Sequence, residues 1–168
     1  RMLRVAARIR HELGRDALDP VVTAYGESYF DKPRGSGMRD RLSTPDHLVE
    51  VLTAAGIDLD FASAADDTAW DEMIDAEGEM ALSRTGRDVG TPIISFGEDG
   101  LSFFGPVISR IPRGSDAVKL WDSVNTLAAF PGFAEMKRSL RETPQLNILG
   151  GLVEQPVEED WEAGHRRM

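Results

Sequence analysis

Along the first half of the chain, apolar residues recur with the period of an α-helix. Met2, Val5, Ile9 and Leu13 fall on one face, with Gly14 as a stop. Leu18, Val21, Val22, Tyr25 and Tyr29 make a second stripe of the same kind. Residues 31–43 read as a loop, rich in glycine and charge and broken by a proline. A further helix then opens on Thr44 as cap, Pro45 in the first turn and Asp46 at the positive helix end. Leu48, Val51, Leu52 and Ala55 form its buried face, and Gly56 ends it. Ile57 to Ala65 is expected to be a connector holding a single helical turn. Asp66 and Asp67 then start a long helix to about Arg84, with Trp70, Met73, Ile74 and Met80 on its apolar side. Gly78 within it costs about 1 kcal/mol relative to alanine, which suits a tight packing contact. Gly86 closes it.

At residue 88 the period changes. Pro92 to Phe96 reads as a strand, Gly97 to Gly100 as a turn and Leu101 to Phe104 as a second strand, together an antiparallel hairpin. Gly105-Pro106 breaks the strand. Ser115 or Asp116 is expected to cap a helix striped by Ala117, Leu120, Trp121, Val124 and Ala128. After Pro131 and Gly132, the spacing of Phe133, Met136 and Leu140 predicts a final short helix. Two strands alone are marginal, and Pro92 to Phe96 is apolar enough to be interior, so the sheet is expected to extend beyond this hairpin. The chain opens on Arg1 inside a helical pattern with no cap, and a preceding segment is therefore expected.

Composition narrows the chemistry. A content of 41% hydrophobic and 29% charged residues is ordinary for a globular domain, and 168 residues suit one domain or one domain with an insertion. The net charge of −10 argues against nucleic acid as a partner, since binding phosphates needs a basic face. No apolar run approaches the roughly 18 residues of a membrane span. Cysteine is absent, which excludes disulfides, thiolate nucleophiles and cysteine-ligated metals from this chain. His11, His47 and His165 lack partners at ligand spacing and read as solvated helix-surface residues, so no metal site is expected. The pairs Asp66/Asp67 and Glu158/Glu159 read as a helix start and a solvated tail, not as a general acid and base.

The order of long helix, Asp88 to Pro92, hairpin and helix is that of the rear half of a thioredoxin fold. Residues 88–122, with Val89-Gly-Thr-Pro92 before a hairpin ending Phe103-Phe-Gly-Pro106, then Ile111 to Gly114 and Leu120 to Asp122, closely resemble the mycothiol-dependent nitroreductase group of the DsbA family. Residues 16–30 resemble that group's helical insertion, and 137–146 resemble its C-terminal end. The resemblance implies an α/β, thioredoxin-like fold of DsbA type with a helical insertion, N-terminally truncated. It divides the chain into a helical lid (1–86), the C-terminal part of the thioredoxin-like domain (87–146) and a mobile acidic tail (147–168). The family's Cys-x-x-Cys turn would precede Arg1, by truncation or by loss from the gene.

The function so implied is a cytoplasmic, thiol-dependent oxidoreductase of disulfides or nitro compounds, with mycothiol or a similar small thiol as co-substrate and no tightly bound cofactor. In that chemistry a low-pKa thiolate attacks a disulfide or thiol adduct. Val89, Gly90, Thr91 and Pro92 would form the substrate wall opposite it, with Thr91–Pro92 cis; the plainer alternative is an ordinary trans proline opening a strand. Arg110 and Arg113, with Lys119 close by in sequence, gather at a helix start, where the carboxylate of a thiol co-substrate would bind; the plainer alternative is a solvated basic face. Phe103, Phe104, Trp121 and Phe130 are expected to be core. Without cysteine, the chain itself is expected to be inactive, and no catalytic residue is assigned. Two alternatives remain: a kappa-type glutathione transferase or isomerase, which uses serine for the first cysteine, and a non-catalytic remnant or binding module. Oligomeric state is not fixed by the residues.

Overall fold

The computed structural model describes residues 1–97, 100–138, 140–152 and 158–160. It is helix-rich α/β and divides into two compact units, Arg1–Glu79 with Leu146–Gly151, and Met80–Gln145 with Leu152–Met168.

The first unit contains α1 (Met2–Leu13), α2 (Leu18–Phe30), the single turn α3 (Met38–Arg41) and α4 (Pro45–Ala55). Stops and caps lie where local chemistry puts them. Gly14 and Gly56 end α1 and α4 at φ 91° and 68°, and the Thr44 hydroxyl accepts the His47 N–H at the start of α4. Val5, Ile9, Val21, Leu48, Val51 and Leu52 are all but fully buried and pack as one cluster. Each such side chain contributes roughly 1.5–3 kcal/mol of apolar burial. No strand occurs among the described residues before Ile93.

The connector before the long helix is an eight-residue 3-10 helix, Leu59–Asp66, and it buries Phe61, Ala64 and Ala65. Met38, assigned to a loop, is 4% exposed, whereas Val22, assigned to an apolar face, is 65% exposed. His47 is not solvated but fully buried, because Ser28 and Ser43 satisfy both ring nitrogens. His11 is exposed and meets Trp70 edge-on, and His165 lies outside the described residues.

The long helix α5 (Asp71–Thr85) begins after a 3-10 turn, Thr68–Trp70. A Cβ added at Gly78 would meet nothing, so no tight contact explains that glycine. Arg4 grips Asp71 through two hydrogen bonds of 2.7 Å and holds its carboxyl below the ordinary range. Arg8 reaches both Asp60 and Glu12, and Arg10 pairs with Glu77. These arginines tie the run from Asp60 to Glu77 to α1.

The second unit holds β1 (Ile93–Ser95) and β2 (Ser102–Phe104), antiparallel, with Ile93 opposite Phe104, Ile94 opposite Phe103 and Ser95 opposite Ser102. Glu98 and Asp99 of the expected turn lie outside the described residues. α6 (Gly114–Ala129) starts at Gly114 with no side-chain cap, so neither Ser115 nor Asp116 caps it. Among the described residues, the short helix expected after Pro131 is absent. Residues 133–138 are irregular, Met136 is 78% exposed, and β3 (Leu140–Glu142) pairs antiparallel with β4 (Glu158–Asp160). Pro131 and Gly132 end the helical backbone, and the spacing of the apolar residues beyond them does not restart it. Within the stretch read as a tail, Asn147–Leu149 is a 3-10 turn, while 153–157 and 161–168 lie outside the described residues.

The aromatic residues expected as core are not buried. Phe104 is 39% exposed, Trp121 48% and Phe130 67%; Phe103 is half-buried against Phe133, and Trp121 stacks on Phe96. A two-stranded hairpin and one helix enclose too little volume to cover them.

Candidate functional site

The run Val89–Pro92 links the end of α5 to β1. Gly86 closes α5 at φ 98°, where an added Cβ would also lie 3.1 Å from an Asp88 carboxylate oxygen, so the exit from the helix requires glycine. Val89 is half-buried; Gly90, Thr91 and Pro92 are exposed. The Thr91–Pro92 peptide bond is cis, and so is Gly105–Pro106 at the far end of the hairpin. The sequence marks the second of these only as a strand breaker.

The hairpin holds the run from one side. The Gly105 N–H donates to the Pro92 carbonyl at 2.8 Å, continuing the ladder one step beyond Ile93 and Phe104. Gly90 lies beside the Phe104 ring, to which an added Cβ would come within 3.6 Å. At the turn end, Ser95 and Ser102 hydroxyls meet at 2.8 Å and Arg84 donates to Ser95 at 3.0 Å. The result is an exposed run free of its own ionisable groups, with a proline that offers no N–H at the strand entrance.

The expected anion site divides. Arg110 is bonded to Glu142 at 2.8 and 3.2 Å, and Ser109 donates to the same carboxylate at 2.7 Å. The Gln145 N–H donates to the Ser109 carbonyl at 2.7 Å. The Ser109 hydrogen bond first, and the Arg110 pair after it, hold the Glu142 carboxyl below its usual range. Arg110 is therefore already neutralised. Arg113 is exposed just before α6 and makes no ion pair among the described residues. Lys119 keeps only a loose pair with Asp116 at 3.7 Å.

Sequence reasoning missed Gly105, Ser109 and Glu142. Gly105-Pro106 at a strand end was the available signal for the first; for the other two no local pattern exists. Replacing Ser109 by alanine should raise the Glu142 pKa toward its ordinary value, read by carboxyl carbon NMR. Because the folded pKa is depressed, this site contributes stability at neutral pH that is lost as pH falls through that pKa. The variant should show a smaller loss on acidification than the parent.

The family model described as Rv2466c-like, mycothiol-dependent nitroreductase Rv2466c, matches residues 2–138 and so spans both units. That match takes in α1 to α6, the hairpin and the Val89–Pro92 run, and the chain belongs to the Rv2466c-like family of thiol-dependent oxidoreductases, the mycothiol-dependent nitroreductases.

Proposed function

We propose that these residues form the helical part and the substrate wall of a thioredoxin-like, DsbA-type oxidoreductase that acts on disulfides or nitro compounds with mycothiol or a similar small thiol. The family match over residues 2–138 is the observation that carries this reading. In this proposal Val89, Gly90, Thr91 and Pro92 face the sulfur of the bound thiol. Pro92 has no N–H to compete for the substrate, and the hairpin fixes the run through Gly105. Arg113 donates hydrogen bonds to the polar oxygens of the thiol co-substrate, because Glu142 already occupies Arg110.

The nucleophile has to come from elsewhere. The 168 residues contain no cysteine, so no thiolate is available within them to attack a disulfide sulfur and expel the other sulfur as thiolate. The exposed Phe104, Trp121 and Phe130 are consistent with further sheet strands, outside these residues, that would carry that thiol. The absent cysteine equally favours a binding module as the second reading.

The chain alone should give no mycothiol-dependent nitro reduction and no insulin disulfide reduction above a protein-free control; turnover in either assay would overturn the inactivity of the chain. Titration with mycothiol disulfide, followed by amide NMR, tests the wall. Shifts concentrated at Val89–Thr91 and Arg113 support it, and shifts confined to other residues refute it.

A further inference from the structure

His47 takes no part in the chemistry above, yet it is a fully buried titratable group with both ring nitrogens engaged. Its Nε2 lies 2.7 Å from the Ser28 hydroxyl, which donates its own proton to the Tyr25 carbonyl at 2.7 Å. With that proton committed, Nε2–H must be the donor. On the other side, the Ser43 N–H donates to Nδ1 at 3.0 Å. The two bonds together require the neutral ring, with Nδ1 bare.

Among the described residues, Ser43 is the non-glycine residue at positive φ, 58°, a backbone state that side-chain-bearing residues adopt only when their surroundings hold them. The corner it occupies joins α3 to α4: Leu42 N–H donates to the Met38 carbonyl and Thr44 N–H to that of Arg41. Met38, in the turn beyond, is buried. Protonating His47 at Nδ1 would set a donor against the Ser43 N–H, and one bond would become a repulsion.

The groups facing the ring do not compensate. Arg41 from α3 and Glu50 from α4 form an ion pair at 2.6 Å, with Lys32 near Glu50, and the Tyr25 ring from α2 lies 5.5 Å away. Arg41 opposes a charge on His47 and Glu50 favours it; burial, the largest influence, lowers the pKa.

We infer that His47 is an acid-operated latch: neutral, it pins the Leu42–Thr44 corner to the helical unit, and protonated, it releases that corner together with the Met38–Arg41 turn. The inference does not depend on the thiol chemistry. It is tested on the whole chain by amide hydrogen exchange, corrected for intrinsic rates. The opening constant at Ser43 and Leu42 should rise about tenfold for each pH unit below about 6.5, while the Leu52 amide keeps its protection. In His47→Asn the side-chain oxygen replaces Nδ1 as acceptor without titrating, so that pH dependence should vanish. An unchanged pH dependence in the variant, or simultaneous opening at Leu52, would overturn the latch. Should the variant not fold, the nitrogen NMR titration of the His47 ring decides. Its midpoint must coincide with the lower end of the opening transition, and a ring that titrates without the corner opening refutes the proposal.

Discussion

Leu52→Ala is expected to destabilise the helical unit by about 2–5 kcal/mol, the range for removing a large aliphatic side chain from a closed core. Leu52 has no exposed surface and belongs to the cluster where α1, α2, α4 and the Leu59–Asp66 3-10 helix meet. Its surroundings come from separate elements, so the space left by its methyl groups cannot be filled by moving one of them. The control is Val22→Ala. Val22 lies on a helix of the same unit but is 65% exposed, and its loss should stay within about 0.5 kcal/mol. Urea unfolding followed by helical circular dichroism separates the two; the midpoint should fall for Leu52→Ala with the slope unchanged. Equal midpoints for both variants would mean that the core has been misplaced.

These two valine and leucine positions also show what the letters carried. The stripe containing Leu48, Val51 and Leu52 was legible because a helix buries residues at a fixed angular spacing. Val22 shares the second stripe with Val21, yet adjacent residues on a helix point about 100° apart, and only Val21 turns inward. The Leu59–Asp66 stretch escaped because a 3-10 helix repeats every three residues and this one is rich in alanine, which gives little periodic contrast. His47 escaped for a different reason. Its burial depends on Ser28, 19 residues away, and on the main chain of Ser43, neither of which any local pattern reveals. In the second unit, aromatic composition predicted a core, but burial is a property of what surrounds a ring. At the site, Val89–Pro92 was legible as a motif. Its support by Gly105 was not, and the Ser109–Glu142 bond spans 33 residues.

Gly105→Val is expected to disrupt the site more than any substitution in the exposed run itself. Gly105 is buried at φ 101°, and an added Cβ would lie 3.3 Å from the Val107 nitrogen. A β-branched residue at such a φ costs about 1–3 kcal/mol before any contact is counted. To escape, the backbone must rotate and give up the 2.8 Å bond to the Pro92 carbonyl, a further loss of about 0.5–1.5 kcal/mol. Two short strands have little reserve against that, so exchange protection in Ile93–Ser95 should largely disappear while the Leu52 amide is unaffected. Gly78 supplies the opposite sign. It lies inside α5 with open space around it, and Gly78→Ala should stabilise that helix by about 1 kcal/mol. The contrast tests conformation, not glycine as such: one position uses the freedom of a missing Cβ and the other does not. If Gly105→Val left the hairpin amides as protected as in the parent, the Gly105–Pro92 bond would not be what holds the Val89–Pro92 run.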